Sequence, residues 1–185
     1  MATLDELAIK YGSDKSSLDH NYMSFYEKHL PKDPKRILEI GVHKGSSLAM
    51  WSKFFPDAII HGLDLFAEHS RQNVADFLQN EGCENVFLIT GNQMDWLLLE
   101  ELRKNDYDLI IDDGGHLSRA QMISFFGLFN GKHYFIEDLH CCYEPFYQDG
   151  LPFGATALGL FNAIHDSGSN LKTVTGKNIT LIYAP

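Results

Sequence analysis

Two apolar runs in this chain stop abruptly in acids. Tyr107-Asp108-Leu109-Ile110-Ile111 ends in Asp112-Asp113, and Tyr134-Phe135-Ile136 ends in Glu137-Asp138. Short runs of this kind read as strands buried on both faces of a parallel sheet. In open α/β sheets ligands sit just beyond the carboxyl ends of the strands. Two neighbouring strands would bring three or four carboxylates to one rim, with His116 three residues beyond Asp113. Carboxylates grouped in this way repel one another unless a cation or a proton intervenes. The pattern therefore reads as a hard-metal site with a candidate base beside it.

The rest of the chain supplies the sheet. Residues 3–11 and 21–30 read as helices, the second with Tyr22, Phe25, Tyr26 and His29 on one face, where core packing is the favoured role. Arg36–Ile40 is the first core strand, followed by a glycine-containing turn and a helix through Phe55. Ala58–Asp64 and Val86–Thr90 are the next strands, each followed by a helix, over 70–80 and 94–104. The acid-ended pair comes fourth and fifth. A loop from Leu139 to Gly154 carries Tyr143, Phe146, Tyr147 and Phe153, and is read either as an apolar face for a ligand or as a hydrophobic plug. A helix over 155–166 and a closing hairpin, 171–174 with 179–183, complete the chain. Strands alternating with helices predict an α/β fold, and 185 residues without a linker or repeat predict one domain.

Composition excludes several classes. A net charge of −10 argues against a nucleic-acid partner. No run approaches the ~18 apolar residues of a membrane span. Residues 1–6 have neither the basic start nor the apolar core of a signal peptide. The three cysteines, Cys83, Cys141 and Cys142, show no CxxC spacing and read as free thiols. Together these features predict a cytoplasmic protein.

Three further strand ends are polar. Glu39-Ile40-Gly41-Val42-His43-Lys44-Gly45-Ser46-Ser47 follows the first strand, with G-x-x-x-G rather than the G-x-G-x-x-G dinucleotide spacing. Asp64 ends the second, where an acid accepts hydrogen bonds from ribose hydroxyls, or caps a helix. Gly91-Asn92-Gln93 ends the third and offers amides to an adenine edge. Polar ends on successive strands favour a nucleoside-type cofactor.

Glu-Ile-Gly-x-x-x-Gly followed by Leu63-Asp64 resembles the class I S-adenosylmethionine (SAM) methyltransferases. Tyr11-Gly12-Ser13-Asp14-Lys15, Gly91-Asn92-Gln93, Ile111-Asp112-Asp113-Gly114-Gly115-His116 and Ile136-Glu137-Asp138-Leu139-His140 more narrowly resemble the metal-dependent macrolide-sugar and rhamnosyl O-methyltransferases, with cephalosporin-hydroxylase-type relatives. The resemblance implies a Rossmann-like fold with a seven-stranded, mostly parallel sheet ending in an antiparallel hairpin strand. It implies an N-terminal helical lid over residues 1–34. It assigns Mg²⁺, with Mn²⁺ as the alternative, to Asp113, Glu137 and Asp138, and the general base to His116. The implied SAM set is Glu39, Gly41, Gly45, Ser46, Asp64, Leu65, Asn92, Gln93 and Asp112, although Asp112 is equally readable as a metal or structural residue. The implied acceptor is a hydroxyl of a deoxysugar such as rhamnose, on a glycan or glycoside; a catechol or small phenol, or a SAM- or carbohydrate-binding module without catalysis, are the alternatives. A homo-oligomer or a multidomain glycan-modifying parent is the implied assembly. Asn92 stands where relatives usually have Asp, and Gly115 where they usually have Ser.

Overall fold

The computed structural model describes residues 2–167 and 170–185. Its sheet contains β1 (Arg36–Ile40), β2 (Ile59–Asp64), β3 (Val86–Thr90), β4 (Leu109–Asp112), β5 (His133–Ile136), β6 (Lys172–Thr175) and β7 (Thr180–Tyr183) in the order β3-β2-β1-β4-β5-β7-β6. The first five strands are parallel. The pairings β5–β7 and β6–β7 are antiparallel, as expected for the class I methyltransferase fold. The order reverses beside β1, so the rim beyond β1 and β4 is the switch point where such sheets bind ligands.

Eight α-helices lie among the described residues: α1 (Leu4–Tyr11), α2 (Met23–His29), α3 (Ser46–Phe54), α4 (Arg71–Asn80), α5 (Trp96–Arg103), α6 (Ser118–Leu128), α7 (Pro145–Gln148) and α8 (Ala157–Asp166). Their starts follow local chemistry. Thr3 and Glu6 form a capping box on α1, Ser70 caps α4, and Asp95 accepts the amides of Leu97 and Leu98 to open α5. Helix α6 was not expected from the sequence. It contains no charged residue after Arg119 and is apolar on most of its circumference, so no amphipathic period marks it. None of the described helices is long and apolar enough to cross a membrane.

Period-two alternation along the strands sorts the core into two layers. Ile37, Ile111 and Phe135 pack with α1 to α4 on one face, among Leu4, Tyr26 and Trp51. Leu38, Ile40, Ile110, Tyr134 and Ile136 pack on the other, with Leu99, Phe125 and Phe161. The same alternation, continued one residue past β4 and β5, puts Glu39, Asp113 and Glu137 on the first face and Asp112 on the second.

Candidate functional site

Glu39, Asp113 and Glu137 converge on one cation, Lys15. Its Nζ donates to Asp113 Oδ2 and, at 2.9 Å, to Glu137 Oε2, and stands 4.0 Å from Glu39 Oε1. Lys15 is 1% exposed, although it lies in the turn between α1 and α2. Burial opposes its charge, but Asp113, Glu137 and Glu39 outweigh burial and hold its pKa well above the ordinary lysine value. The acids respond in the opposite sense. Burial pushes Asp113 and Glu137 up, and lifts Glu39 to about 7 against the pull of Lys15. Neither Glu39 oxygen has a well-formed hydrogen bond. One ammonium facing three carboxylates leaves a rim that favours additional positive charge.

The metal set expected from the sequence is arranged unevenly. Asp113, His116 and Asp138 each present a ligand atom within 4.8 Å of the others. Glu137 instead turns inward, with Oε1 accepting from the Tyr26 hydroxyl and Oε2 from Lys15. Two hard oxygen donors, with buried acid charge behind them, fit Mg²⁺. Glu137 is not among the groups that converge there.

His116 and Asp138 both take left-handed backbone angles, each with φ 54°. Such angles are uncommon outside glycine, though His and Asp tolerate them better than most residues, and strained backbone clusters at functional sites. They bring His116 Nε2 to 3.7 Å from Asp138 Oδ2. The other Asp138 oxygen accepts from the Tyr22 hydroxyl at 2.5 Å. His116 Nδ1 is buried without a hydrogen-bond partner, so no protein group fixes the tautomer. Tyr22 and Tyr26 are core residues as expected, but their hydroxyls also hold two of the acids. Four-residue spacing on one helix turn was the signal for that shared role.

The proposed cofactor residues divide between rim and scaffold. Asp64 Oδ2 accepts the amides of Val42 and His43 at 2.7 and 3.1 Å, and its Oδ1 that of Phe66 at 2.6 Å. It thereby fastens the β1–α3 turn to the end of β2. Gly41, at φ 90°, is forced by packing: a Cβ there would lie 2.0 Å from the Asp113 carbonyl. Gly45 forms the N-cap of α3 and Ser46 is buried in its first turn. Leu65 and Asn92 are exposed at the rim, and Asn92 also accepts the Met94 amide. Gln93 reaches across to β4, accepting from Gly115 N at 2.8 Å and donating to Asp112 at 3.3 Å. Asp112 is fully buried beneath it, bonded to Ser124 and Tyr134, and burial raises it to about 6. These contacts anchor Asp112 between Gln93 and α6.

The aromatic loop is open rather than plugged. Tyr143 and Phe146 are 64% and 76% exposed, and Tyr143 stacks on Phe153 at 5.1 Å. Tyr147 stands 6.4 Å from the His116 ring. The three cysteines are free and buried. His140 lies 4.0 Å from Asp138, whereas His133 is on β5 and stacks on Tyr183.

No family model matches the chain. It is 31% identical over 182 residues to 8-demethyl-8-(2-methoxy-alpha-L-rhamnosyl)-tetracenomycin-C 3'-O-methyltransferase of Streptomyces olivaceus, covering 88% of this chain and 44% of that protein. It is 32% identical over 183 residues to demethylmacrocin O-methyltransferase of Streptomyces fradiae, with coverages of 89% and 44%. The structure of MycE methyltransferase from the mycinamycin biosynthetic pathway, in complex with Mg and SAH, matches with a TM-score of 0.82 at 26% identity, covering 99% of this chain and 54% of that one. The chain thus spans about half the length of these relatives.

Proposed function

The chain is a class I methyltransferase-fold protein related to the macrolide-sugar and rhamnosyl O-methyltransferases, and on that premise we propose that it methylates a sugar hydroxyl with SAM as donor and Mg²⁺ as cofactor. The observation that carries the proposal is the His116–Asp138 pair beside the Asp113 carboxylate, at the switch point of the sheet.

Asp113 and Asp138 would hold the ion, with Glu137 as the third carboxylate once released from Lys15. Bound there, Mg²⁺ supplies positive charge that makes a hydroxyl easier to deprotonate, and SAM supplies the methyl group. His116 Nε2 accepts the hydroxyl proton. Asp138, 3.7 Å from that nitrogen, stabilises the imidazolium that results. Tyr22 keeps Asp138 turned towards the site by donating to its other oxygen.

Asp64 and Leu65 would receive the ribose, and the exposed Asn92 amide the adenine edge. The turn at Gly41 and Gly45 would pass beneath the amino-acid end of SAM, while Glu39, buried under Lys15, supports that region without direct contact. Tyr143, Phe146 and Phe153 offer an exposed aromatic surface for a sugar face, and Tyr147 lies between that surface and His116. The protein's remaining contribution is to hold the acceptor oxygen in line with the methyl–sulfur bond.

Calorimetric titration with SAM in the presence of Mg²⁺, followed by mass spectrometry of rhamnosides incubated with both, tests the reading. Saturable one-to-one binding and a product heavier by one methylene are expected. Methylation of a catechol but of no glycoside would replace the sugar by a phenol.

A further inference from the structure

We propose that His43, His69 and Glu68 form a second metal centre, selective for a borderline transition ion of the Zn²⁺ class and separate from the acid rim. His43 lies in the turn after β1, and Glu68 and His69 in the loop after β2, so adjacent parallel strands bring the three together. The two imidazole Nε2 atoms are 3.0 Å apart, and Glu68 Oε2 is 3.7 Å from that of His43. All three donor atoms lie within 4.8 Å of one another.

These separations suit a tetrahedral ion. With Zn–N bonds of about 2.0–2.1 Å, two nitrogen ligands stand about 3.3 Å apart, close to the observed spacing. The rings meet edge to face, 4.4 Å between centroids at 78°. One nitrogen must donate and the other accept, so without an ion this contact depends on the ring tautomers; an ion satisfies both nitrogens at once. Glu68 adds one carboxylate oxygen, and its 82% exposure leaves room for water in the fourth position.

The donor chemistry separates this centre from the first. Asp113 and Asp138 offer hard oxygens suited to Mg²⁺, whereas two imidazoles and one carboxylate favour Zn²⁺, Ni²⁺ or Cu²⁺. The position also has a mechanical consequence. Asp64 already ties the His43 amide to the end of β2 at 3.1 Å. An ion held by His43 and His69 would add a side-chain tie between the same turn and loop, stiffening that corner of the rim.

The test is calorimetric titration of the untagged full chain with Zn²⁺ in saturating Mg²⁺, alongside the His43→Ala, His69→Ala and Asp113→Asn variants. One saturable site is expected, in wild type and in Asp113→Asn alike. Loss of an outer-shell partner alone costs about 10–100-fold in metal affinity, so removing either histidine should weaken binding at least about tenfold. Cobalt substitution should give the visible absorption of a tetrahedral site in wild type and not in His69→Ala. No saturable Zn²⁺ uptake, uptake that survives both histidine substitutions, or uptake lost only in Asp113→Asn would each overturn the proposal.

Discussion

Lys15 Nζ lies 2.9 Å from Glu137 Oε2 across 122 positions of sequence, with both side chains almost wholly buried. This contact makes the turn between α1 and α2 part of the acid rim. Removing one partner of a buried ion pair costs about 3–5 kcal/mol, because the remaining charge is left uncompensated. Lys15→Met should therefore lower stability to urea by about that much in chelator. Mg²⁺ should return more stability to the variant than to wild type, since the ion then takes the place of the Lys15 charge. Identical urea midpoints for the two proteins in chelator would contradict this.

His116 has the position of a base without a protein ligand on Nδ1. His116→Ala should reduce kcat by about a hundred- to ten-thousand-fold while SAM affinity stays near normal. Single-turnover rates and calorimetry read the two effects separately. Turnover retained within a few-fold would remove His116 from the reaction.

Asp138 faces both His116 and Tyr22, and its carboxylate is 16% exposed. Asp138→Asn should abolish any Mg²⁺-dependent rise in melting temperature, whereas Tyr22→Phe should keep it. A Mg²⁺ response unchanged in Asp138→Asn would place the ion elsewhere.

Asp108 works at the opposite end of the sheet. Its Oδ2 accepts the amides of Lys35 and Arg36 at 2.8 and 3.1 Å, and its Oδ1 accepts from Lys132 Nζ at 2.9 Å. Burial raises its pKa, but Lys132 and the two amides outweigh burial and hold the carboxyl below its ordinary value. Its stabilisation is therefore complete above the unfolded pKa of about 4 and is lost as pH falls through the folded value. Asp108→Asn should cost about 1 kcal/mol at neutral pH, after allowance for partial exposure. The difference from wild type should close in acid. Chemical denaturation across pH measures it, and a gap that widens in acid would refute the assignment.

The acid-ended strands made the sheet and its functional rim legible, because buried parallel strands and their polar ends are local patterns. The hairpin formed by β6 and β7 was legible from two short strands flanking Gly176-Lys177-Asn178. Helix α6 was not, since its apolar circumference hides the helical period. Lys15 was visible within the Gly-Ser-Asp-Lys motif but not its role, because its partners lie 98 and 122 residues away. Alternation past the strand ends does put Glu39, Asp113 and Glu137 on one face, and it would have shown that three acids there need a cation. The Ser124 partner of Asp112 was hidden as well, because it comes from the unrecognised α6.

The proposed reaction is metal-assisted methyl transfer to a sugar hydroxyl. Its most direct test is the initial rate of methyl transfer from SAM to a rhamnoside, measured with Mg²⁺ and again after chelation. A methylated glycoside should form with Mg²⁺, disappear with chelator and return when Mg²⁺ is restored. An equal rate in chelator would contradict the metal's part, and SAM binding without transfer to any glycoside would contradict the acceptor.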